Sequence, residues 1–247
     1  MPRAARRPLV LVDADDTLWE NYRFFAAVID AWARWMADRG VAAGRAVAAL
    51  EACEERNIPR TGYGAAPFVA SLGDAWAELL PDDDRRGRAA GGTDFREFAR
   101  WAEETIRGHP IELLPGVEVA LAEMAPRARL VLFTKGREDE QLGKLRRSGL
   151  ERHFAAASVV REKHAAAFLA ECARHGADPA ASWMVGNSAR SDVNPARRAG
   201  LRTVHVAHPS PWHRDEEPLA GAGIPTLVAR TFADVPRLVT ATAAPDR

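Results

Sequence analysis

Short apolar runs alternate with longer helical stretches over the second half of the chain. This alternation is typical of a parallel sheet whose strands are joined by helices. Strands are predicted near 130–133, 157–160, 182–186 and 201–206, and helices at 137–148 and 163–175. A first strand at 8–12 is predicted to belong to the same sheet. The pattern therefore predicts an α/β fold with a Rossmann-like parallel sheet core.

The strand pattern disappears between Leu18 and about His109, where amphipathic helical periodicity replaces it. Helices are predicted at 21–39, 43–56, 64–80 and 94–108, with breaks at Gly40, Pro59 and Pro81 and a polar loop at 81–93. We therefore expect an α/β domain formed by residues 1–18 and 110–247. An all-helical domain, residues 19–109, is expected as an insertion in it.

Composition argues against nucleic-acid and membrane proteins. The chain has 247 residues with 34 basic and 34 acidic side chains, so no net charge would attract a polyanion or a membrane surface. Its two cysteines, Cys53 and Cys172, lie far apart and predict reduced thiols rather than a disulfide framework. The run 8–12 is too short for a signal peptide, and no stretch reaches transmembrane length. We expect a cytoplasmic protein without nucleic-acid or membrane partners.

Two carboxylates, Asp13 and Asp15, come directly after the first apolar run. Like charges this close raise each other's pKa, and burial raises it further, unless a cation lies between them. The arrangement makes chemical sense if a hard divalent ion such as Mg2+ is held there and an oxyanion is delivered to it.

Three further polar groups follow later apolar runs. Thr134 is followed by Lys135 and Gly136, Lys163 follows the run 157–160, and a glycine-led loop at 186–192 follows the strand near 182–186. Sites in open α/β sheets form outside the carboxyl ends of the strands. All four groups are therefore predicted to meet at one edge of the sheet.

The order Asp, Thr, Lys and glycine-led acidic loop resembles the haloacid dehalogenase superfamily of hydrolases over residues 8 to 210. The helical insertion resembles the type-1 cap of its phosphatase-like branch. The resemblance implies that Asp13 is the nucleophile and forms an aspartyl-phosphate. It also implies that Asp15 is the general acid and then the general base, and that Asp13 and the backbone carbonyl of Asp15 bind Mg2+. Dehalogenases lack an acid at Asp15, because a halide leaves without a proton.

Phosphate binding is expected from Thr134, through its hydroxyl, and from the backbone amides of Lys135 and Gly136. Lys163 is expected to bind both the phosphate and the nucleophile. Lys163 and Thr134 are both expected to be catalytic. Only three of the 34 basic residues are lysines, so a retained lysine suggests a place where the wider fork of arginine does not serve.

The loop 186–192 is expected to complete the metal site through Asn187 and Asp192. The family pattern more often has a carboxylate at Asn187, so which of the two is the direct ligand stays open, and weaker Mg2+ binding is predicted. Pro195 must lie in the first turn of its helix, which predicts a helix start near Ser191 or Asp192.

Other polar residues receive structural interpretations. Thr17 is expected to support the turn, Asp16 receives no catalytic role, and the Lys135 side chain is expected in solvent. His205, His208 and His213 match no metal-binding spacing, and a surface loop is the preferred interpretation.

These observations predict a Mg2+-dependent phosphatase that hydrolyses a small phosphorylated metabolite. Two alternatives remain: a phosphomutase built on the same motifs, or a non-catalytic binding or regulatory module on the same fold. Neither the substrate nor the oligomeric state can be derived from the sequence.

Overall fold

The computed structural model describes residues 7–80, 95–219 and 225–241. Its centre is a six-stranded sheet in which all paired strands are parallel, in the order β3-β2-β1-β4-β5-β6. The strands are Leu9–Val12 (β1), Arg129–Lys135 (β2), Ala156–Val160 (β3), Trp183–Gly186 (β4), Arg202–Val206 (β5) and Thr226–Ala229 (β6). The predicted α/β fold with a Rossmann-like parallel core is confirmed, and β6 is an addition that the sequence did not predict.

The central strand β1 is buried along its whole length. Val12 is in register with Leu132 of β2 on one side and with Val185 of β4 on the other. Since all three strands run in one direction, their carboxyl ends lie at the same edge of the sheet. Asp13 continues this register, and its backbone amide donates to the Val185 carbonyl at 2.9 Å.

Residues 23–110 form a compact helical unit. Its helices are Tyr22–Ala37 (α1, whose first residue belongs to the other unit), Ala43–Thr61 (α2), Ala65–Leu79 (α3) and Phe95–Gly108 (α4). Buried side chains such as Trp32, Leu50 and Phe98 form its core. The predicted break at Pro59 is wrong, because α2 continues to Thr61. Proline costs a helix one hydrogen bond, and only two helical residues follow it here.

The second unit contains residues 1–22 and 111–247. Its helices are Val117–Met124 (α5), Glu138–Ser148 (α6), Ala165–Arg174 (α7), Asn194–Arg198 (α8) and Val235–Ala241 (α9). Alternate residues of β1 belong to two hydrophobic clusters, Val10 and Val12 to one and Leu9 and Leu11 to the other. This is the pattern of a parallel sheet covered on both faces.

The structure divides the chain between Tyr22 and Arg23 and again between Pro110 and Ile111. Trp19, which the sequence places in the helical insertion, belongs to the α/β unit, because its side chain is fully buried in that unit's core. Among the helices of the described residues, none is both long and apolar enough to cross a membrane.

Candidate active site

Asp13, Lys163 and Asp192 form a buried ionic cluster at the carboxyl ends of β1 and β4. The Lys163 ammonium donates to Asp13 Oδ1 at 2.5 Å and to Asp192 Oδ1 at 2.7 Å, and the Lys163 side chain is 1% exposed. Two carboxylates therefore share one cation in a place from which water is excluded. Three of the predicted site residues are brought into direct contact.

Burial and the neighbouring charge of Asp192 raise the pKa of Asp13 to about 6, although Lys163 acts in the opposite direction. Burial alone would lower the pKa of Lys163, but Asp13 and Asp192 outweigh it and raise that pKa. Lys163 is thus held as a cation, whereas Asp13 is a carboxylate whose negative charge is only partly compensated. A further cation at this position would lower the remaining electrostatic cost of keeping Asp13 ionised in a buried place.

Asp15 has its own set of donors. The Lys144 ammonium lies 2.9 Å from both carboxylate oxygens, Gln141 Nε2 donates at 2.9 Å, and the Trp19 indole donates at 2.8 Å. Burial would raise the pKa of Asp15, but Lys144 and the other donors outweigh it and lower that pKa. In this arrangement Asp15 is an ionised acceptor.

Lys144 and Gln141 are site residues that the sequence did not single out. Both lie within α6, away from any strand end, and only the docking of that helix brings them to Asp15. Lys144 also donates to Asn21 Oδ1 at 2.7 Å. The one feature of the sequence that pointed to Lys144 was the rarity of lysine, since the chain has only three.

The segment after β2 only partly follows the predicted phosphate-binding arrangement. Thr134 is buried at the strand end, with its hydroxyl 3.5 Å from the Lys135 carbonyl. The backbone amide of Gly136 donates to the Val160 carbonyl at 3.2 Å, so the expected phosphate contact from this amide is not available here. Gly136 has φ +135°, a conformation that favours glycine.

The Lys135 side chain is not in solvent as expected. Its ammonium donates to Ser191 Oγ at 2.7 Å, and the side chain is 15% exposed. The reason is that the loop after β4 folds back over the end of β2. All three lysines of the chain therefore have their ammonium groups in or beside the site.

The loop after β4 holds Asp192 by close packing. A Cβ atom at Gly186 would lie 2.3 Å from Asp192 Oδ2, so only glycine leaves room for this carboxylate. The same oxygen accepts from the Ser188 amide at 3.0 Å. One π-helical turn, Ala189–Val193, precedes α8, with Ser188 as its N-cap. The predicted helix start near Ser191 or Asp192 is therefore too late, and Asp192 lies inside this turn.

Thr17 links Asp13 to Asn187. Its hydroxyl lies 3.1 Å from Asp13 Oδ2 and 3.0 Å from Asn187 Oδ1, and it accepts from the Asn187 amide at 3.0 Å. Asn187 Nδ2 is buried and has no hydrogen-bond partner among the described residues. Thr17 thus joins two of the expected metal ligands, a stronger constraint than a simple turn contact.

Comparison with known proteins identifies the fold and the family. The family model described as haloacid dehalogenase-like hydrolase matches residues 8–200, which includes each of the four predicted motifs. The chain belongs to this family. As a haloacid dehalogenase-like hydrolase it is an enzyme of hydrolytic chemistry, and the motifs that suggested the family lie around Asp13.

A phosphoserine phosphatase from Thermus thermophilus is 30% identical to this haloacid dehalogenase-like hydrolase over 221 residues, covering 80% of this chain and 88% of the relative. A haloacid dehalogenase-like family hydrolase from Xanthomonas campestris has a TM-score of 0.79 at 26% identity, covering 97% of this chain and 93% of that structure. The L-2-haloacid dehalogenase from Xanthobacter autotrophicus shares the fold, with a TM-score of 0.65 at 19% identity. The match covers 96% of this chain and 100% of that structure.

Proposed function

We propose that this chain is a Mg2+-dependent phosphatase that hydrolyses a small phosphomonoester through an aspartyl-phosphate on Asp13. The observation that carries the proposal is the buried Asp13–Lys163–Asp192 cluster with a second carboxylate, Asp15, two residues from the nucleophile. The similarity to a phosphoserine phosphatase supports a phosphomonoester as substrate. The presence of Asp15 also favours phosphoryl transfer over dehalogenation, since a halide needs no proton to leave.

In the first step an Asp13 carboxylate oxygen forms a bond to phosphorus while the bond from phosphorus to the leaving oxygen breaks. Lys163 keeps Asp13 oriented and supplies positive charge to the phosphoryl oxygens. The leaving oxygen takes a proton from Asp15. In the second step Asp15 accepts a proton from water as that water attacks phosphorus, which releases inorganic phosphate and restores Asp13.

Asp15 needs a proton for the first step, yet Lys144 stabilises its ionised form. We infer that the arriving substrate takes over part of the contact that Lys144 makes, so that the pKa of Asp15 rises in the complex. In the second step, when a base is needed, the contact with Lys144 favours the ionised form. Lys144 would then be a positioning residue for both roles.

The residues present fit a hard divalent ion. Asp13, Asp192, the Asp15 backbone carbonyl and Asn187 would hold it, and all four offer oxygen, the ligand that Mg2+ prefers. With its amide turned over, Asn187 would donate from Nδ2 to Thr17, leave the single Thr17 hydrogen for Asp13, and free Oδ1 as a ligand. When bound, Mg2+ would neutralise charge on the phosphoryl oxygens.

The helical unit, residues 23–110, is proposed as the cap that selects the substrate, and a small phosphorylated metabolite is proposed as its ligand. Thr134 and Lys135 remain proposed contacts of the phosphate. Both cysteines are free and buried, in keeping with the reduced thiols predicted for a cytoplasmic protein, and that location stays a prediction.

The test is phosphate release from an aryl phosphate, with and without Mg2+, for the wild type, Asp13→Asn and the control Asp38→Asn, an exposed carboxylate in the turn directly after α1. We expect Mg2+-dependent turnover in the wild type and the control and a loss of at least a thousandfold in Asp13→Asn. Asn187→Asp is expected to lower the Mg2+ concentration needed for half-maximal activity.

Other outcomes identify the alternatives. Transfer of the phosphoryl group to a second position of a sugar phosphate without phosphate release would indicate a phosphomutase. Equal turnover in Asp13→Asn and the wild type would exclude Asp13 as the nucleophile. Absence of turnover across a panel of phosphorylated metabolites, together with unchanged metabolite binding in Asp13→Asn, would favour the binding module.

A further inference from the structure

A second group of metal-ligating side chains lies beside the proposed active site. Asp16, Glu20 and His208 each offer one ligand atom, and these three atoms lie within 4.8 Å of one another. His208 Nε2 is 3.5 Å from Glu20 Oε2 and 3.9 Å from Asp16 Oδ1. All three residues belong to the α/β unit. The proposed reaction uses none of them.

His208 provides an independent indication of a ligand. Its side chain is 4% exposed, and Nε2 has no hydrogen-bond partner among the described residues. Buried polar atoms almost always have a partner, so an orphaned ring nitrogen aimed at two carboxylates calls for an explanation. His208 lies in the loop after β5, where the neighbouring residues 207, 209 and 210 are exposed, but its own side chain turns inward towards Asp16 and Glu20.

Asp16 is fixed in place by the backbone. It has φ 57°, the left-handed region that Asp tolerates better than most residues. Its carboxylate accepts from the amides of Asn21 and Tyr22, with Oδ1 at 2.8 and 3.0 Å, and so caps the start of α1. A carboxylate has about four acceptor positions, so this capping leaves capacity for a further ligand.

We propose that Asp16, Glu20 and His208 form a second cation site, which binds a divalent transition ion such as Mn2+, Co2+ or Zn2+. Two carboxylates and a neutral imidazole carry a formal charge of about −2, which a divalent ion balances. The imidazole nitrogen distinguishes this site from the oxygen ligands around Asp13, since imidazole suits transition ions better than Mg2+.

Binding would require a change in the protonation of His208. Its Nδ1 accepts from the Ser210 amide at 3.3 Å, so in the ion-free protein the ring proton is on Nε2. To coordinate an ion, Nε2 must lose this proton and Nδ1 must carry one. The contact with Ser210 would then break, at little cost because it is a long hydrogen bond in an exposed segment.

The experiment uses the full chain, stripped with EDTA and returned to saturating Mg2+ so that the oxygen-rich site is filled. Co2+ is then titrated while its visible absorption and the 15N shifts of the histidine rings are recorded. We expect one saturable site in the wild type and a proton shift from Nε2 to Nδ1 of His208. The exposed control His213→Gln should bind equally well, whereas His208→Gln and Glu20→Gln should bind at least tenfold more weakly.

Two further measurements keep this site separate from the catalytic one. Asp13→Asn is expected to retain the Co2+ signal even though phosphate release is lost, so failure of the proposed phosphatase would not affect this test. Urea unfolding in EDTA establishes that His208→Gln and Glu20→Gln are folded before titration. Co2+ affinity unchanged in both folded variants, or a ring proton that stays on Nε2 at saturation, would overturn the proposal.

Discussion

The three lysines of the chain show how side-chain chemistry is matched to position. Lys163 contacts two carboxylates, Lys144 contacts both oxygens of Asp15, and Lys135 contacts Ser191. A compact ammonium can lie between such acceptors, whereas a planar guanidinium needs more room. Lys163 was predictable because it follows a strand. Lys144 was not, since its role depends on the docking of α6, which the sequence of the helix does not encode locally.

Lys144→Met tests the control of Asp15. The Lys144 ammonium lowers the pKa of Asp15, so its removal should raise that pKa. If Asp15 is the general acid, activity is lost as pH rises through this pKa, and the alkaline limb of kcat against pH should move to higher pH. Arg146→Met, an exposed substitution in the same helix, should leave the limb unchanged. A limb that does not move in Lys144→Met would argue against Asp15 as the acid.

The loop after β4 is the element on which the site depends most. It combines a glycine without room for a Cβ, an N-cap serine and a π-helical turn that contains Asp192. The sequence indicated that this loop carries chemistry, because a glycine-led acidic segment follows a buried strand. It could not predict the π-helical turn, since Pro195 limits only where α8 begins and says nothing about the preceding residues.

Gly186→Ala should damage the site through Asp192. The added methyl would lie 2.3 Å from Asp192 Oδ2 and force this carboxylate away from the Ser188 amide and Lys163. Overpacking of this kind costs about 1–3 kcal/mol of unfolding free energy, and we expect at least a tenfold loss of kcat/KM.

The matched control is Gly143→Ala in α6, where a Cβ meets nothing within 4 Å. It should gain about 0.5–1 kcal/mol of unfolding free energy, because alanine favours the helix. Urea unfolding and steady-state kinetics of both variants provide the comparison. Wild-type activity in Gly186→Ala would show that the position of Asp192 is not critical.

At the scale of the whole molecule, the parallel α/β core and the helical unit were predictable because their apolar residues repeat differently along the chain. Short apolar runs alternate with helices in the core, whereas only amphipathic helical periodicity occurs in the helical unit. The errors lie where tertiary contacts override local pattern. Strand β6 is short and only partly buried at the edge of the sheet, so it gives little signal. Trp19 follows the first motif directly, and only its burial shows that it belongs to the core.

Buried carboxyl groups make the stability of the molecule depend on pH. Asp16 has its pKa raised to about 7, chiefly by burial, from an ordinary value of 3.8. A raised pKa in the folded state stabilises the protein below the unfolded pKa, and this contribution is lost as pH rises towards about 7. Asp13, with a pKa of about 6, acts in the same direction over a lower range.

Asp16→Asn removes this charge but keeps an oxygen that can accept from the amides at the start of α1. In EDTA, we expect its stability relative to the wild type to improve by about 2–3 kcal/mol between about pH 5 and about pH 8. Urea unfolding at the two pH values measures the difference, with the exposed Asp38→Asn as the matched control. A constant difference at both pH values would mean that Asp16 does not carry the shifted pKa.

The placement of the lysines has a consequence for proteolysis. A protease that cuts only after lysine has three target bonds in this chain, and the lysine side chains that precede them are 15%, 10% and 1% exposed. An arginine-specific protease, by contrast, can bind many arginine side chains that are exposed on the surfaces of helices. Cleavage of the native protein by the lysine-specific enzyme would therefore report how often the candidate active site opens, and a bound phosphorylated ligand should slow this cleavage.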